Sequence, residues 1–269
     1  MFPAMKLMLK KEWKEQFPRN YSLFICFANE LAALFFIYYT AKAFLPNTEL
    51  MKGSELDYFS YILVGECFFR PLFAFAFGLV KNLKDNYQHG RLEHFLLLRR
   101  PFWIICLLET LPVLILEIAK VVIILGLAYF FFSLQLGNAW VIFPLWGLVA
   151  LPFFFGFGIF ANGVFIIFKR GEAYIYKVLQ LGIILAGAYF PTITLPEKVK
   201  YFLPYWPLHS LMQSIRHAQA NTPVGTLILD FFSSASALLI FGVTFGIFGV
   251  WWLKRTLHQH PEHLMKSND

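Results

Sequence analysis

The strongest constraint on the fold is a series of six long apolar stretches separated by segments that hold most of the charged residues. These stretches cover residues 21–43, 58–80, 104–133, 139–168, 173–190 and 226–252. A membrane-spanning helix needs about 20 mostly apolar residues. Only 14% of the residues are charged, whereas a soluble domain carries about 25%. The sequence therefore predicts an all-α integral membrane protein with six transmembrane helices.

The distribution of Lys and Arg predicts how the chain is oriented. Sixteen of these residues lie in the amino-terminal segment, the second and fourth connections and the carboxyl-terminal tail, whereas five lie on the opposite side. Positive charge concentrates in cytoplasmic segments, so we expect both termini in the cytoplasm and the spans in the plasma membrane. The same clustering argues that the net charge of +7 does not indicate nucleic-acid binding.

The two ends of the chain flank a predicted six-span domain, residues 21–253. Residues 1–20 carry an apolar stripe at helical spacing, formed by Met5, Leu9, Trp13 and Phe17. Lysines occupy the rest of that surface, a pattern typical of a helix in the membrane interface on the cytoplasmic side. Residues 254–269 are expected to be a cytoplasmic tail.

A charged, amphipathic segment, residues 83–100 approximately, lies between the second and third stretches. Leu92, Phe95 and Leu96 would share one helical face, with charges on the other faces. Such a helix can lie on the membrane surface or dock on a partner. The alternative is a helix that merely connects two spans.

The charged segment resembles a motif of type-2 ABC exporter permeases. Gly90-Arg91-Leu92-Glu93, with Pro101 eight residues after the glutamate, resembles their Gly-Thr-Leu-Glu … Pro segment, although Arg91 replaces the usual threonine. In that family the segment is a coupling helix that sits on a separate ATP-hydrolysing subunit. The resemblance implies the same role for Gly90, Leu92, Glu93, Phe95 and Pro101.

The fifth connection, residues 190–220 approximately, is apolar but interrupted by prolines, which predicts two short re-entrant helices. It resembles the Phe-Pro, Leu-Pro, Asn-Pro-Leu and Arg series of the same permeases, with Trp206 in place of the asparagine. The residues expected to form this external segment and to gate release are Phe190, Pro191, Pro196, Pro207 and Arg216. We expect Arg216 to reach the headgroups or to hold an acidic partner. A cap that only stabilises the fold is the alternative.

An unpaired charge within an apolar stretch is costly. The charged residues within or near the stretches that therefore need a reason are Glu30, Glu66, Arg70, Glu109, Glu117 and Lys120. Glu66 can pair with Arg70 one turn later, and Glu117 can pair with Lys120 at i,i+3 spacing. Glu30 has no cation nearby in the sequence. These residues are candidates either for structural ion pairs or for the substrate path.

No phosphate-binding loop of the Gly-x-x-x-x-Gly-Lys-Ser/Thr type occurs, so we expect this chain not to hydrolyse ATP. No cofactor or metal site is expected in it. The resemblance implies that a separate ATP-binding cassette subunit binds ATP and Mg²⁺. It also implies a homodimer, or a pair with a close paralogue, that exports an amphipathic or hydrophobic substrate. Lipid-linked glycans, lipids and drugs are all handled by similar permeases.

Two other classes of function compete with the exporter. A proton-coupled secondary transporter would use Glu30 or Glu66 as its proton site. Such transporters are commonly built from inverted repeats, and the sequence has no evident internal symmetry. A membrane-embedded enzyme is the third class, but no His-Glu-x-x-His pattern lies in a span.

Overall fold

A computed structural model describes residues 9–10, 12–14, 20–44, 57–89, 102–132, 134–168, 172–192, 195–220 and 224–259. This part of the chain is all-helical and contains no strand. Its helices are α1 (Asn20–Phe44), α2 (Tyr58–Gln88), α3 (Phe102–Phe132), α4 (Ala139–Phe168), α5 (Glu172–Leu185), α6 (Glu197–Phe202), α7 (Pro207–Gln219) and α8 (Val224–Gln259). A 3₁₀ turn, Leu203–Tyr205, connects α6 to α7.

Five of these helices, α1, α2, α3, α4 and α8, are long and apolar enough to cross a membrane. They coincide with five of the six predicted stretches, so a multi-pass membrane protein is confirmed. The stretch at 173–190 instead forms α5, whose 14 residues extend about 21 Å. The hydrocarbon core is about 30 Å thick, so α5 alone falls short of a full span.

Helix α2 lies at the centre of the bundle and packs against α1, α3, α4 and α5. Phe59, Phe68 and Phe69 are among its fully buried side chains. α2 is also longer than predicted and continues to Gln88. The predicted coupling segment therefore begins inside the last turns of α2, while its motif residues from Gly90 onward lie outside the described residues.

Helices α4 and α8 pack backbone against backbone through glycines. A Cβ atom on Gly156 would lie 2.5 Å from the backbone nitrogen of Gly246, and one on Gly242 would lie 2.7 Å from that of Phe153. Residue numbers increase together along the two helices, so α4 and α8 run parallel. The side chains of other residues would hold the helices further apart, because only glycine permits this approach.

Helix α5 runs antiparallel to α2. Tyr176 near its start packs against Phe77, with ring centroids 5.6 Å apart. Gly187, just after α5 ends, accepts a hydrogen bond of 2.9 Å from the Tyr61 hydroxyl near the start of α2. Residues 195–220, here called the cap, then cover this end of the bundle. The cap contacts the α3–α4 connection at this end, where the backbone N–H of Asn138 donates a hydrogen bond of 2.9 Å to the backbone carbonyl of Ala218.

Candidate functional site

Four charged side chains from three helices form a continuous network, here called the ionic cluster. It consists of Glu30 on α1, Arg70 on α2, and Glu117 and Lys120 on α3. The Arg70 guanidinium contacts both carboxylate oxygens of Glu30, with Nη1 2.7 Å from Oε2 and Nη2 bonded to Oε1. Its Nε lies 3.2 Å from Oε2 of Glu117. The Lys120 Nζ atom completes the network 2.6 Å from the other oxygen of Glu117.

The ionic cluster is electrically neutral and largely withdrawn from the surface. The exposed fractions of its four side chains lie between 12% and 27%. A planar guanidinium can bond one carboxylate with two nitrogens and still direct a third donor elsewhere. Arg70 uses this geometry to connect α1 with α3, so each carboxylate gains a cation. Removing Arg70 would leave Glu30 without its described cation, whereas Glu117 would keep its contact with Lys120.

The pairing within the ionic cluster differs in part from the sequence prediction. The expected Glu117–Lys120 pair is present. The expected pair between Glu66 and Arg70 is wrong, because Arg70 bonds Glu30 and Glu117. Sequence spacing identifies partners on one helix, whereas these contacts depend on how three helices pack.

Glu66 lies at a different interface, between α2 and α5. Its Oε2 atom accepts a hydrogen bond of 2.6 Å from the Tyr189 hydroxyl. Tyr189 immediately precedes Phe190 and Pro191, which lead into the cap. Glu66 therefore connects the middle of α2 to the start of the external segment, and it does not share a site with Glu30.

The other end of α2 makes polar contacts with α3 that sequence reasoning missed. The Asn86 side-chain amide donates to Glu109 over 3.0 Å, and that of Asn82 lies 3.4 Å from the Thr110 hydroxyl. Asn82 and Asn86 are spaced i,i+4 and lie on one face. Charged residues lie between and beside these asparagines, so the spacing alone did not single them out in the sequence.

Arg216 anchors the cap through backbone carbonyls. The side chain is 8% exposed, and its Nη1 atom lies 2.7 Å from the Tyr61 carbonyl and 3.0 Å from the Gln219 side-chain oxygen. Nη2 lies 3.0 Å from the Ala188 carbonyl. The guanidinium also stacks 3.4 Å from the centre of the Tyr61 ring. These contacts attach α7 to the start of α2 and to the turn after α5.

The environment of Arg216 corrects the sequence prediction. Its partners among the described residues are carbonyl oxygens, an amide and an aromatic ring, and neither an acidic side chain nor the surface is involved. Burial lowers the pKa of Arg216 to about 10, which still leaves the group protonated at neutral pH. The Ala188 carbonyl lies beyond the end of α5, and a carbonyl that has no helical partner can stabilise a buried cation in this way. Sequence reasoning considers side-chain partners first and so missed them.

Trp206 connects the cap to the interior of the bundle. Its indole N–H donates to the Gly182 carbonyl of α5 over 3.0 Å. The ring lies so close that a Cβ atom on Gly182 would be 2.9 Å from it. Phe153 of α4 packs edge-on against the same indole. The residue that departs from the permease pattern thus holds the cap between α4 and α5.

The prolines of the external segment lie at helix boundaries. Pro196 directly precedes α6, and Pro207 is the first residue of α7, where a missing N–H leaves no hydrogen bond unsatisfied. Phe190 and Pro191 are half-buried next to the turn that accepts the Arg216 contacts. Tyr201 and Tyr205, each 71% exposed, project from the cap. An exposed aromatic surface of this kind suits a membrane interface.

The structure thus places the two groups of predicted residues that it describes at two depths. The ionic cluster lies within the span region of α1, α2 and α3, and the external residues lie at the cap, with Glu66 and Tyr189 between them. The predicted coupling residues, Gly90, Leu92, Glu93, Phe95 and Pro101, lie outside the described residues. No group of three or more potential metal ligands is found in the described part of the chain.

No protein-family model matches the chain, and no curated protein matches it.

Proposed function

We propose that this chain is the membrane-spanning permease subunit of an ATP-driven exporter of the type-2 ABC class. The observation that supports this most is the cap. The Phe-Pro, Leu-Pro, Pro-Leu and Arg residues of the resemblance fold together over one end of the bundle, and Arg216 holds them there. In an ordinary loop, a series of prolines has no reason to end on a buried arginine that is bonded to two other structural elements, the start of α2 and the turn after α5.

A sixth crossing formed by α5 belongs to this proposal. Because α4 and α8 run parallel, the chain must return to the cap end between them, and α5 is the helix that does so. α5 with the turn after it extends from the level of Phe77 to that of Tyr61 along α2. Six crossings place both termini on one side. The charge distribution makes that side the cytoplasm and the cap external in the plasma membrane.

The motif residues of the coupling segment have the role of binding a separate ATP-binding cassette subunit. ATP and Mg²⁺ are bound by that subunit, and this chain carries out no hydrolysis. Two permeases, identical or closely related, form the path for an amphipathic or hydrophobic substrate such as a lipid-linked glycan, a lipid or a drug. The cap shapes the exit of that path, where Phe190, Pro191, Pro196, Pro207 and Arg216 lie.

Co-purification with the ATPase subunit tests this assignment. We expect Leu92→Asp and Glu93→Arg to lose the ATPase while remaining folded, because each alters the docking face. Arg91→Thr restores the residue of the permease motif and is the matched control, which we expect to retain the ATPase. Retention of the ATPase by both docking variants would contradict the proposal.

Glu66 supports one alternative, a proton-coupled secondary transporter. Its carboxylate accepts a hydrogen bond from the neutral Tyr189 hydroxyl, whereas the Glu30 carboxylate is paired with the Arg70 cation. In proteoliposomes that lack any ATPase, such a transporter would move substrate along a pH gradient, and Glu66→Gln would abolish that movement. The exporter proposal predicts no substrate movement without the ATPase and ATP.

A further inference from the structure

An apolar cleft separates two helices that are adjacent in sequence. Residues 133–138 connect α3 to α4, yet the two helices make few direct contacts. Between them lies a cavity of about 440 Å³, with Phe68 and Leu72 of α2 at its floor. The cleft is half-open to the side, and Val122 and Leu148 at its mouth are 64% and 65% exposed.

The cleft has the length and direction of a lipid chain in one leaflet. Its wall on α4 runs from Ala139 to Leu151, twelve residue steps or about 18 Å along the helix axis. One leaflet contributes half of the hydrocarbon core, about 15 Å. The cleft starts at the α3–α4 connection, which is the cap end of the bundle, and ends at Leu151, near the middle of α4. Its length along α4 therefore matches the thickness of one leaflet.

The side chains that line the cleft favour a hydrocarbon ligand. All sixteen lining residues are apolar or aromatic, and the indole N–H of Trp140 is their one side-chain polar group. A buried water needs two to four hydrogen-bond partners, so this cavity cannot hold ordered water.

We propose that the cleft between α3 and α4 binds one acyl chain of a membrane lipid from the leaflet at the cap end. The bound chain fills the space that α3 and α4 leave above α2. The proposal requires that the protein spans a membrane, and five long apolar helices support this. It does not require that the protein is an exporter.

Two glycines provide a matched pair of variants to test the site. Gly147 lines the cleft and Gly126 does not, and an added Cβ atom on either residue meets nothing within 4 Å. A tryptophan at Gly147 would therefore fill the cleft, and one at Gly126 would project elsewhere. Both variants should fold, which thermal unfolding and gel filtration would check. Gly147→Leu is a smaller filling variant that should give an intermediate result.

The experiment uses the full chain in phosphatidylcholine vesicles that contain a lipid with a photoreactive diazirine on its acyl chain. After illumination, the labelled residues are mapped by mass spectrometry. We expect wild type and Gly126→Trp to be labelled at Phe68 and Leu72, which line the cleft and are otherwise buried, at 2% and 3% exposed. Gly147→Trp should lose that label and keep the label on exposed α1 residues.

Three results would overturn the proposal. The first is an absence of label at Phe68 and Leu72 in the wild type. The second is equal labelling of these residues in Gly147→Trp and Gly126→Trp. The third is labelling of the same residues by a water-soluble diazirine, which would show that the cleft holds water.

Discussion

The interface that holds α1 and the interface that holds α8 show two ways of joining helices in a membrane. α1 is exposed along most of its length, and its polar attachment to the bundle is the bidentate contact of Glu30 with Arg70. α8 instead approaches the backbone of α4 at Gly156. Lipid is as apolar as a leucine side chain, so helices associate through close packing and polar contacts.

The difference predicts how each interface responds to change. A glycine interface has no space to adjust, because its contacts are between backbone atoms that cannot rotate away. An ionic interface depends on a few flexible side chains, which can separate and find other partners. We therefore expect the α4–α8 pair to behave as one rigid unit and α1 to be the more separable helix.

The largest effect is expected from Gly156→Leu. The new Cβ atom would lie 2.5 Å from the backbone of Gly246, so α8 would have to separate from α4. We expect a loss of at least about 3 kcal/mol, the upper end for overpacked cores, measured as thermal unfolding in detergent. Gly246→Leu is the matched control, because a Cβ atom there meets nothing within 4 Å. Equal stability of the two variants would contradict the rigid backbone contact.

An intermediate effect is expected from Arg70→Met. Glu30 would lose its described cation, and an unpaired charge at mid-membrane costs about 2.5–3.5 kcal/mol. Unfolding of the variant measures the loss. Arg70→Lys keeps the charge but cannot contact both carboxylates in the same geometry, so we expect a smaller loss. Glu30→Gln combined with Arg70→Met should recover part of the stability. A double variant no more stable than Arg70→Met would show that Glu30 is not the partner that matters.

The smallest effect is expected from Lys120→Met. Glu117 would still be bonded to the Arg70 Nε atom, so the loss should be close to the roughly 0.2–0.5 kcal/mol of an i,i+3 pair within one helix. The unfolding midpoint relative to wild type measures it. A loss as large as that of Arg70→Met would mean that Lys120, and not Arg70, neutralises Glu117.

The sequence predicted the helices well because a span is a local property. Composition alone locates α1, α3 and α4 to within a few residues, and the i,i+3 spacing identifies Glu117 with Lys120. Contacts between helices were missed, since the partners of Arg70 and Arg216 depend on packing. Small residues such as Gly156 and Gly242 are typical of close helix contacts, and they were available in the sequence. The α3–α4 cleft has no such signal.

The most direct test of this account is a pair of distances measured by double electron–electron resonance in lipid, with the three native cysteines replaced. One pair of spin labels, at Phe36 and Val122, reports α1 against α3. The other, at Leu148 and Ile240, reports α4 against α8, and all four positions are exposed. On introducing Arg70→Met, we predict a broader or displaced distribution for the first pair and an unchanged distribution for the second. An unchanged first pair, or an equal change in both, would contradict the account.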